Sequence, residues 1–234
     1  MRSVRHLVIG AATLALTLSA IGAPVSAAGS GKVAVINGFP GKRIDVCVKG
    51  KEIKSALRYG KVAFRKLKAG PKTIKFYKKN RRVCKGKLLA KQSFPFPGGS
   101  DLTIVMTKSG PRIQRFDNTV FADVSGSWSV FFWRNASDIA GVALDLAGDN
   151  PILDEVQPSM DPVFAKGDQF VTGENTPGLF VITTVFSVAD TATILVEPEA
   201  RLVKLLYRYE WILIGSHPAN ARLVVLKRAI PPFS

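Results

Sequence analysis

The sequence predicts an all-β protein composed of two tandem immunoglobulin-like β-sandwich domains behind a signal peptide. Short apolar alternations recur about every eight to twelve residues, which is the spacing expected of a β-sandwich or barrel. Seven or so strands in about a hundred residues match the size of an immunoglobulin-like domain, and each half is long enough for its own core. Helical periodicity is absent after the signal.

The second observation is an internal repeat, in which similar residues recur in the same order after about a hundred positions. A strand-like alternation reaches an Asn-centred turn at Asn37 and again at Asn135, and each turn leads into a strand that ends in an apolar residue and an Asp. Because short solenoid repeats recur at roughly 20 to 50 residues, a period of this size indicates a duplicated domain. We expect the matching Asp45 and Asp145 to make the same structural hydrogen bond in each copy.

The individual strands follow from these alternations, with Gly- and Pro-containing turns between them. In the first half, Lys49-Gly50, Ala69-Gly70 and Pro97-Gly98-Gly99 mark turns. The strands predicted for the first half are 32–37, 43–49, 53–57, 62–67, 72–77, 87–94, 101–107 and 112–116. Those predicted for the second half are 127–134, 141–146, 169–172, 179–188, 191–196, 202–209, 211–214 and 221–226.

The first 28 residues are expected to be a secretory signal. Two arginines precede an uncharged apolar run, which ends at Gly22 and Pro24 and a small-residue triplet. This order predicts cleavage after Ala27 or Ala28. A retained membrane anchor is the alternative, because the run is nearly as long as the roughly 20 residues of a spanning helix. After cleavage we expect no transmembrane segment and a secreted or cell-surface location.

Cys47 and Cys84 are the only cysteines of the chain. In an oxidising compartment an isolated pair indicates a disulfide rather than a metal site or a nucleophile. Cys47 lies in a strand whose apolar residues alternate onto one face, so its own side chain belongs to the other face. The bridge should therefore tie the outer face or an edge of a sheet to the hairpin region at 80–84, unlike the inter-sheet disulfide of antibody domains.

The positive charge belongs to one half of the chain. Residues 29–118 carry 23 Lys and Arg against 4 Asp and Glu, whereas residues 119–234 carry 8 against 13. The expected organisation is a signal peptide at 1–28, a basic domain with one disulfide at 29–118, and an acidic, divergent domain at 119–234. The opposite charges would allow the two domains to dock on each other, although interfaces within a chain are often modest and polar.

Basic residues are densest between Lys61 and Lys91, where thirteen Lys or Arg occur without one Asp or Glu. Such a field attracts polyanions by counterion release. A merely solvated face is the alternative, but ordinary surfaces intersperse both signs. Because secretion argues against nucleic acid, we expect an anionic envelope polymer, lipid headgroups or an acidic partner protein. The predicted polyanion-binding residues are Lys66, Lys68, Lys72, Lys75, Lys78, Lys79, Arg81, Arg82 and Lys85.

Aromatic residues accompany the charge in two places. Ile74 and Phe76 are predicted to be core by strand spacing, which leaves Tyr77 as the exposed candidate for stacking on a ligand. The densest cluster is Trp128, Phe131, Phe132 and Trp133. Since adjacent strand residues point to opposite faces, this cluster predicts a packed core on one face and an inter-domain seam on the other, with a sugar-stacking platform as the alternative.

A series of landmarks in the first half carries a family resemblance: Asn37-Gly38-Phe39-Pro40, Ile44 to Gly50, Tyr59-Gly60, Leu67 to Gly70, and Gly98-Gly99 before Leu102 to Val105. This order resembles the domain of unknown function 4397 family over about residues 33–116. The second half shares Asn135-Ala136-Ser137, Leu144-Asp145 and Pro177-Gly178, but it lacks a counterpart of the Cys pair. The resemblance implies tandem immunoglobulin-like sandwiches in a secreted bacterial protein, and it supplies no catalytic residues.

No catalytic residue, metal site or cofactor is predicted. His217 is the only histidine after the signal, and it lies in a turn without a Gly-x-Ser-x-Gly nucleophile elbow. The loop from Asp149 to Asp161 holds carboxylates that suit calcium, yet their spacing favours a solvated connection. Two alternatives to a binding module therefore stay open, namely a surface-assembly protein without a specific ligand and an envelope hydrolase built on His217 and this loop.

Overall fold

A computed structural model describes residues 29–109, 112–119, 128–147, 163–166, 178–187, 193–204 and 207–229. Within these ranges the protein is all-β, as predicted, and contains strands and one short 3-10 turn at Pro218–Asn220 but no α-helix. The expected signal at 1–28 and the acidic loop at 149–161 lie outside the described residues.

The first half forms two four-stranded sheets. Its strands are β1 (Ser30–Asn37), β2 (Ile44–Val48), β3 (Lys51–Leu57), β4 (Val62–Lys68), β5 (Lys72–Lys78), β6 (Leu88–Phe94), β7 (Asp101–Met106) and β8 (Ile113–Asp117). Sheet 1 has the order β3-β2-β5-β6 and sheet 2 the order β4-β1-β7-β8. The parallel pair of sheet 2 is β1 with β7. All eight predicted strands are present, and their ends differ by two residues at most.

The second half repeats the order of sheet 2. Its described strands are β9 (Trp128–Asn135), β10 (Val142–Ala147), β11 (Val163–Lys166), β12 (Gly178–Ser187), β13 (Ile194–Lys204), β14 (Tyr207–Ile214) and β15 (Arg222–Ala229). Sheet 3 has the order β11-β9-β14-β15, with β9 and β14 parallel, and sheet 4 has the order β10-β12-β13. Sheets 2 and 3 therefore share one arrangement: a central parallel pair, β1 with β7 and β9 with β14, flanked on each side by one antiparallel strand.

Two of the strands predicted for the second half have wrong boundaries, and the prediction of a third is not tested. The strand predicted at 169–172 lies outside the described residues. The boundaries predicted at 191–196 and 202–209 are wrong, because 194–204 form one continuous strand and the next begins at Tyr207. Pro198 is accommodated since β13 is an edge strand of sheet 4, and because Glu197 and Pro198 together oppose Thr184 in a bulge.

The sheets enclose three apolar layers. Val33 and Val35 of β1 face the core between sheets 1 and 2. The alternate residues of the same strand, Ala34 and Ile36, face Ile212 and other residues of sheet 3. We call this layer between sheets 2 and 3 the seam. A third core, between sheets 3 and 4, contains Phe131, Trp133, Leu144, Val185, Val203, Tyr209 and Trp211.

Asn37 and Asn135 organise equivalent turns, which gives the internal repeat of the sequence a physical basis. The side-chain amide of Asn37 donates to the carbonyls of Lys42 and Leu57. Its Oδ1 accepts the N–H two residues further on, at 2.9 Å. Asn135 donates to the carbonyl of Ile139 at 2.6 Å, and its Oδ1 also accepts the N–H two residues further on, at 2.9 Å. Both side chains therefore close the same kind of Asx turn.

Asp45 makes a structural hydrogen bond in the first half. Its side chain is buried, and Oδ1 accepts the backbone N–H of Ala56 at 2.9 Å. Ala56 has a positive φ of 49°, so the carboxylate fixes an irregular point of β3. The side chain of Asp145 lies outside the described part of the chain, and the shared bond stays a prediction there.

Candidate functional site

The predicted disulfide is present, and it lies where the strand pattern placed it. Cys47 and Cys84 are bonded, with their Cα atoms 6.1 Å apart. Ile44 and Val46 of the same strand point into the core, so the Cys47 side chain is on the outer face of sheet 1. The bond therefore ties the loop at 79–87, between β5 and β6, to that outer face.

The nine predicted polyanion-binding residues fall into three groups. Lys66 and Lys68 lie on β4, the edge strand of sheet 2. Lys72 lies at the start of β5 and is buried. Lys78, at the other end of β5, is exposed but has the same parity as Lys72 and lies opposite the core residue Ile44, so it belongs with Lys72 on the core side of the strand. The remaining five lie on the outer face of sheet 1 or in the disulfide-tied loop: Lys75, Lys79, Arg81, Arg82 and Lys85. The structure thus brings five of the nine to this face or to the loop tied to it.

Lys72 is a structural residue rather than a surface cation. Only 6% of the residue is exposed, and its Nζ donates to the carbonyls of Ala69 and Gly70 at 3.1 and 2.9 Å. The ammonium lies 5.8 Å from the centre of the Phe96 ring. Burial, with a smaller contribution from Lys49, lowers the pKa of Lys72 below its ordinary value. Because its donors are bound to the backbone, Lys72 is not part of the candidate site.

An open groove of about 520 Å³ runs over the outer face of sheet 1. Its charged lining consists of Lys49, Lys75 and Lys91, beside the hydroxyls of Thr73 and Ser93. Lys75 and Lys91 are direct cross-strand partners on antiparallel β5 and β6. The two hydroxyls are hydrogen-bonded to each other at 2.8 Å one pair further along. Sequence reasoning missed Lys49 and Lys91. The register of β5 and β6 shifts by one residue between Phe76 and Tyr77, so counting back from the loop would have paired Lys75 with Ala90.

The lysines of the groove have no neutralising partner among the side chains that the structure describes. Within the described residues, no ion pair involves Lys49, Lys75 or Lys91. Like charges directly opposite each other in a sheet are destabilising, by up to about 1 kcal/mol. The groove therefore concentrates positive charge at a cost to the folded state.

Tyr77 is the aromatic neighbour of this face. It is half-buried on the outer side of β5, directly opposite Asp45 of β2, while Ile74 and Phe76 lie in the core as predicted. Phe64 is more exposed, at 52%, but it lies on β4 with the Arg228 guanidinium 5.2 Å from its ring centre. The exposed aromatic is therefore at the seam and not in the groove.

The two halves contact each other at the seam, but the basic surplus takes no part in the ion pairs there. Asp101, from the basic half, is bound by Arg208 at 2.8 Å and by Arg228, both from the acidic half. Arg208 also lies 3.1 Å from the carboxylate of Glu210. These pairs run against the net charges of the halves. They withdraw one carboxylate from the basic half and two arginines from the acidic half, so the exposed surfaces become more sharply segregated.

Glu210 is the most enclosed charge of the seam. It is fully buried, and its Oε2 accepts hydrogen bonds from Thr103 and from Asn118, the latter at 2.8 Å. Both donors come from the first half of the chain. The Arg134 guanidinium lies 5.4 Å from the ring centre of Phe116 and 4.6 Å from that of Phe132. The seam therefore joins the halves through polar as well as apolar contacts.

The aromatic cluster packs as a core and a seam, as predicted. Phe131 and Trp133 lie in the core between sheets 3 and 4. Phe132 is also buried, on the opposite face of β9, under Arg134. The side chain of Trp128 lies outside the described part of the chain. The three described aromatics are covered, so they offer no sugar-stacking surface.

His217 caps a turn between β14 and β15. It is exposed, and its Nδ1 accepts the N–H of Ala219 at 3.2 Å at the start of the 3-10 turn. Its backbone N–H donates to Asn220 Oδ1. The structure thus gives His217 a capping contact, and the acidic loop to which the hydrolase hypothesis joined it is outside the described residues.

The described ranges hold neither a cluster of metal-ligating side chains nor a membrane-spanning helix. They contain no group of three or more His, Cys, Asp or Glu side chains placed to hold a metal ion. No helix in these ranges has the length and apolarity needed to cross a membrane.

Comparison with known proteins adds no family or relative. No family model matches the sequence, and no curated protein matches it. The resemblance to the domain of unknown function 4397 family therefore stays a prediction based on the landmarks of the first half.

Proposed function

We propose that this chain is an extracytoplasmic, non-enzymatic binding protein made of two tandem immunoglobulin-like sandwich domains. The outer face of sheet 1, together with the loop at 79–87, holds an anionic polymer of the cell envelope. The second domain supports the first through the seam and presents an acidic surface of its own.

The opposed pair Lys75 and Lys91 is the observation that carries this proposal. Two lysines face each other across antiparallel strands, with Lys49 at the same groove and no described carboxylate paired to any of them. An arrangement that lowers the stability of a sheet is expected where a ligand supplies the missing charge.

The form of the groove favours a polymer over a small enclosed ligand. The groove is open, and the disulfide holds the exposed cations of the loop at 79–87 beside it. Lysine is a compact charge with three rotatable donors, so it accepts phosphate and carboxylate without the planar match that arginine imposes. Spread over a sheet face, such charges bind along a chain of anions by counterion release.

The test is binding of the mature full-length protein to polyphosphate and to poly-glutamate over a salt series. The variant Lys75→Gln/Lys91→Gln should bind both polymers more weakly, and its salt slope should fall by about 2, since each lost cation lowers the slope by about 1. The matched control is Lys42→Gln/Lys108→Gln, which removes the same charge from exposed lysines outside the groove. Equal loss in both double variants would show that net charge alone attracts the polymer.

The same groove variant also has a stability readout. Removing the opposed charges should leave the unfolding free energy unchanged or raise it by a few tenths of a kcal/mol. Weaker polymer binding by a protein of equal or higher stability would separate a lost contact from damage to the fold. A polymer affinity equal to that of the unaltered protein would end the proposal for this face.

A further inference from the structure

A second pocket lies where the seam opens to solvent at one end. It has a volume of about 270 Å³, and both halves of the chain line it. Lys32 and Lys66 contribute from sheet 2, and Arg208 contributes from sheet 3. The other polar residues of the lining are Ser30, Ser100, Asp101, Asn118 and Thr119. This pocket shares no lining residue with the groove on sheet 1.

The pocket carries unbalanced positive charge. Asp101, the carboxylate of the lining, and the neighbouring buried Glu210 are balanced by Arg208 and Arg228. Lys32 and Lys66 remain, and within the described residues neither of them forms an ion pair. Two positive charges are therefore left for a ligand.

The two lysines are held side by side by strand register. They are direct cross-strand partners on antiparallel β1 and β4. Lys32 alternates with Val33, a residue of the core between sheets 1 and 2, so its side chain is on the seam face of the sheet. Lys32 is also the parallel neighbour of Asp101 on β7, but that carboxylate is occupied by the two arginines. Opposed like charges again lower stability in the absence of a ligand.

One buried arginine donor at this pocket makes no hydrogen bond. The side chain of Arg208 is 6% exposed, and its Nη2 and Nη1 are bound to Asp101 and to the carbonyl of Asn118 at 2.8 and 2.7 Å. Its Nε has no hydrogen-bond partner. A buried charged donor without a hydrogen bond is costly, and an anion bound beside Arg208 would satisfy it. Arg228 does not line the pocket, because it is bound to Asp101 and lies 3.7 Å from Glu210 through its Nε.

From these observations we infer that the seam pocket binds one phosphate group, with Lys32, Lys66 and Arg208 as its cationic ligands. A phosphate monoester carries about −1.5 to −2 charge at pH 7, which matches the two unbalanced lysines. Three acceptor oxygens suit donors that converge from two sheets. Because both halves supply ligands, the pocket exists only when the seam is formed.

Calorimetric titration of the mature full-length protein with inorganic phosphate, and separately with glycerol 1-phosphate, tests this inference at constant ionic strength. Lys32→Gln and Lys66→Gln should each weaken binding by about tenfold, the loss expected for one charge-assisted hydrogen bond. Lys108→Gln is the charge-matched control and should bind normally. Phosphate should also raise the melting temperature, since it binds only the folded protein.

The outcomes separate this pocket from the groove. Lys75→Gln/Lys91→Gln should bind both phosphate probes normally, so failure of the polymer proposal would leave this one standing. Binding of glycerol 1-phosphate alone would identify a polyol phosphate as the source of the group. If neither probe binds, or if Lys32→Gln/Lys66→Gln binds as tightly as the unaltered protein, the pocket holds no phosphate. Both lysines are exposed, so the double variant should fold and keep the test decisive.

Discussion

At the scale of single residues, parity, meaning the odd or even position along a strand, decides which face of the sheet a polar side chain lies on. A side chain on the core face is structural, whereas one on the outer face is available to a ligand. The charge of Lys72 predicts a polyanion ligand, yet the residue has the same parity as the core residues Ile74 and Phe76. That parity was readable from the sequence and would have placed Lys72 inward. The cost of its burial is offset by two carbonyls, which no sequence pattern shows.

Asn37 provides a residue-scale prediction. Its side chain is fully buried and serves one N–H and two carbonyls, so Asn37→Ala would remove one buried and two partly buried hydrogen bonds. We expect a loss of about 2–4 kcal/mol in unfolding free energy, since each buried group left unsatisfied costs about 1–3 kcal/mol and neighbours relax in part. Denaturant unfolding measures it. Asn80→Ala, at an exposed position, is the control, and an equal effect of the two substitutions would contradict this role of Asn37.

At the scale of strands and loops, the disulfide fixes the connection at 79–87 to the outer face of sheet 1. The first half could be predicted strand by strand, because its alternations are short and each ends in a turn residue. Lys49 and Gly50, for instance, both take positive φ and join β2 to β3 in two residues. In the second half, Pro198 interrupts the pattern of β13, and only the edge position and the bulge explain why the strand continues.

Loss of the disulfide should affect stability and binding together. The bond closes a segment with a sequence separation of 37, which corresponds to about 4 kcal/mol in the chain-entropy account. Cys47→Ala/Cys84→Ala should lose about that much unfolding free energy, and it should bind polyphosphate more weakly because the loop at 79–87 is released. Binding at full strength by the folded variant would show that the loop does not contribute to the face.

At the scale of the whole molecule, the seam couples the halves and segregates their charge. Its residues could not be predicted from the sequence, because Asp101 and Arg208 are separated by 107 positions and no local pattern joins them. The same is true of Thr103 and Glu210. The opposite net charges of the halves would allow them to dock on each other, whereas the ion pairs that cross the seam join Asp101 of the basic half to Arg208 and Arg228 of the acidic half. The basic surplus therefore stays on the surface.

Coupling through the seam predicts cooperative unfolding. The full-length protein should show one calorimetric transition, because separating the halves would expose Glu210 and an apolar layer. Glu210→Gln leaves two arginines without a full complement of negative charge, and it should cost about 3–5 kcal/mol. Glu199→Gln, in an exposed ion pair, should change stability by less than about 1 kcal/mol. Two independent transitions in the unaltered protein would contradict the coupling.

Tyr59 gives the seam a dependence on high pH. Its hydroxyl donates across the seam to the carbonyls of Asn220 and Ile214. Burial raises the pKa of Tyr59 above its ordinary value of 10.0, and Arg222 offsets part of that rise. A raised folded-state pKa means that the contribution is complete below pH 10.0 and is lost as pH rises through the folded pKa. The stability difference between the unaltered protein and Tyr59→Phe should therefore shrink above that pH, and a constant difference would contradict it.

Co-sedimentation of the mature full-length protein with isolated cell envelopes over a salt series tests the central claim most directly. If the outer face of sheet 1 holds an anionic polymer, the protein should bind at low salt and be released steeply as the salt concentration rises. The Lys75→Gln/Lys91→Gln protein should be released at a lower salt concentration than the Lys42→Gln/Lys108→Gln protein. Binding that ignores salt, or no binding at any salt concentration, would contradict an anionic envelope ligand and would leave the groove as a solvated surface.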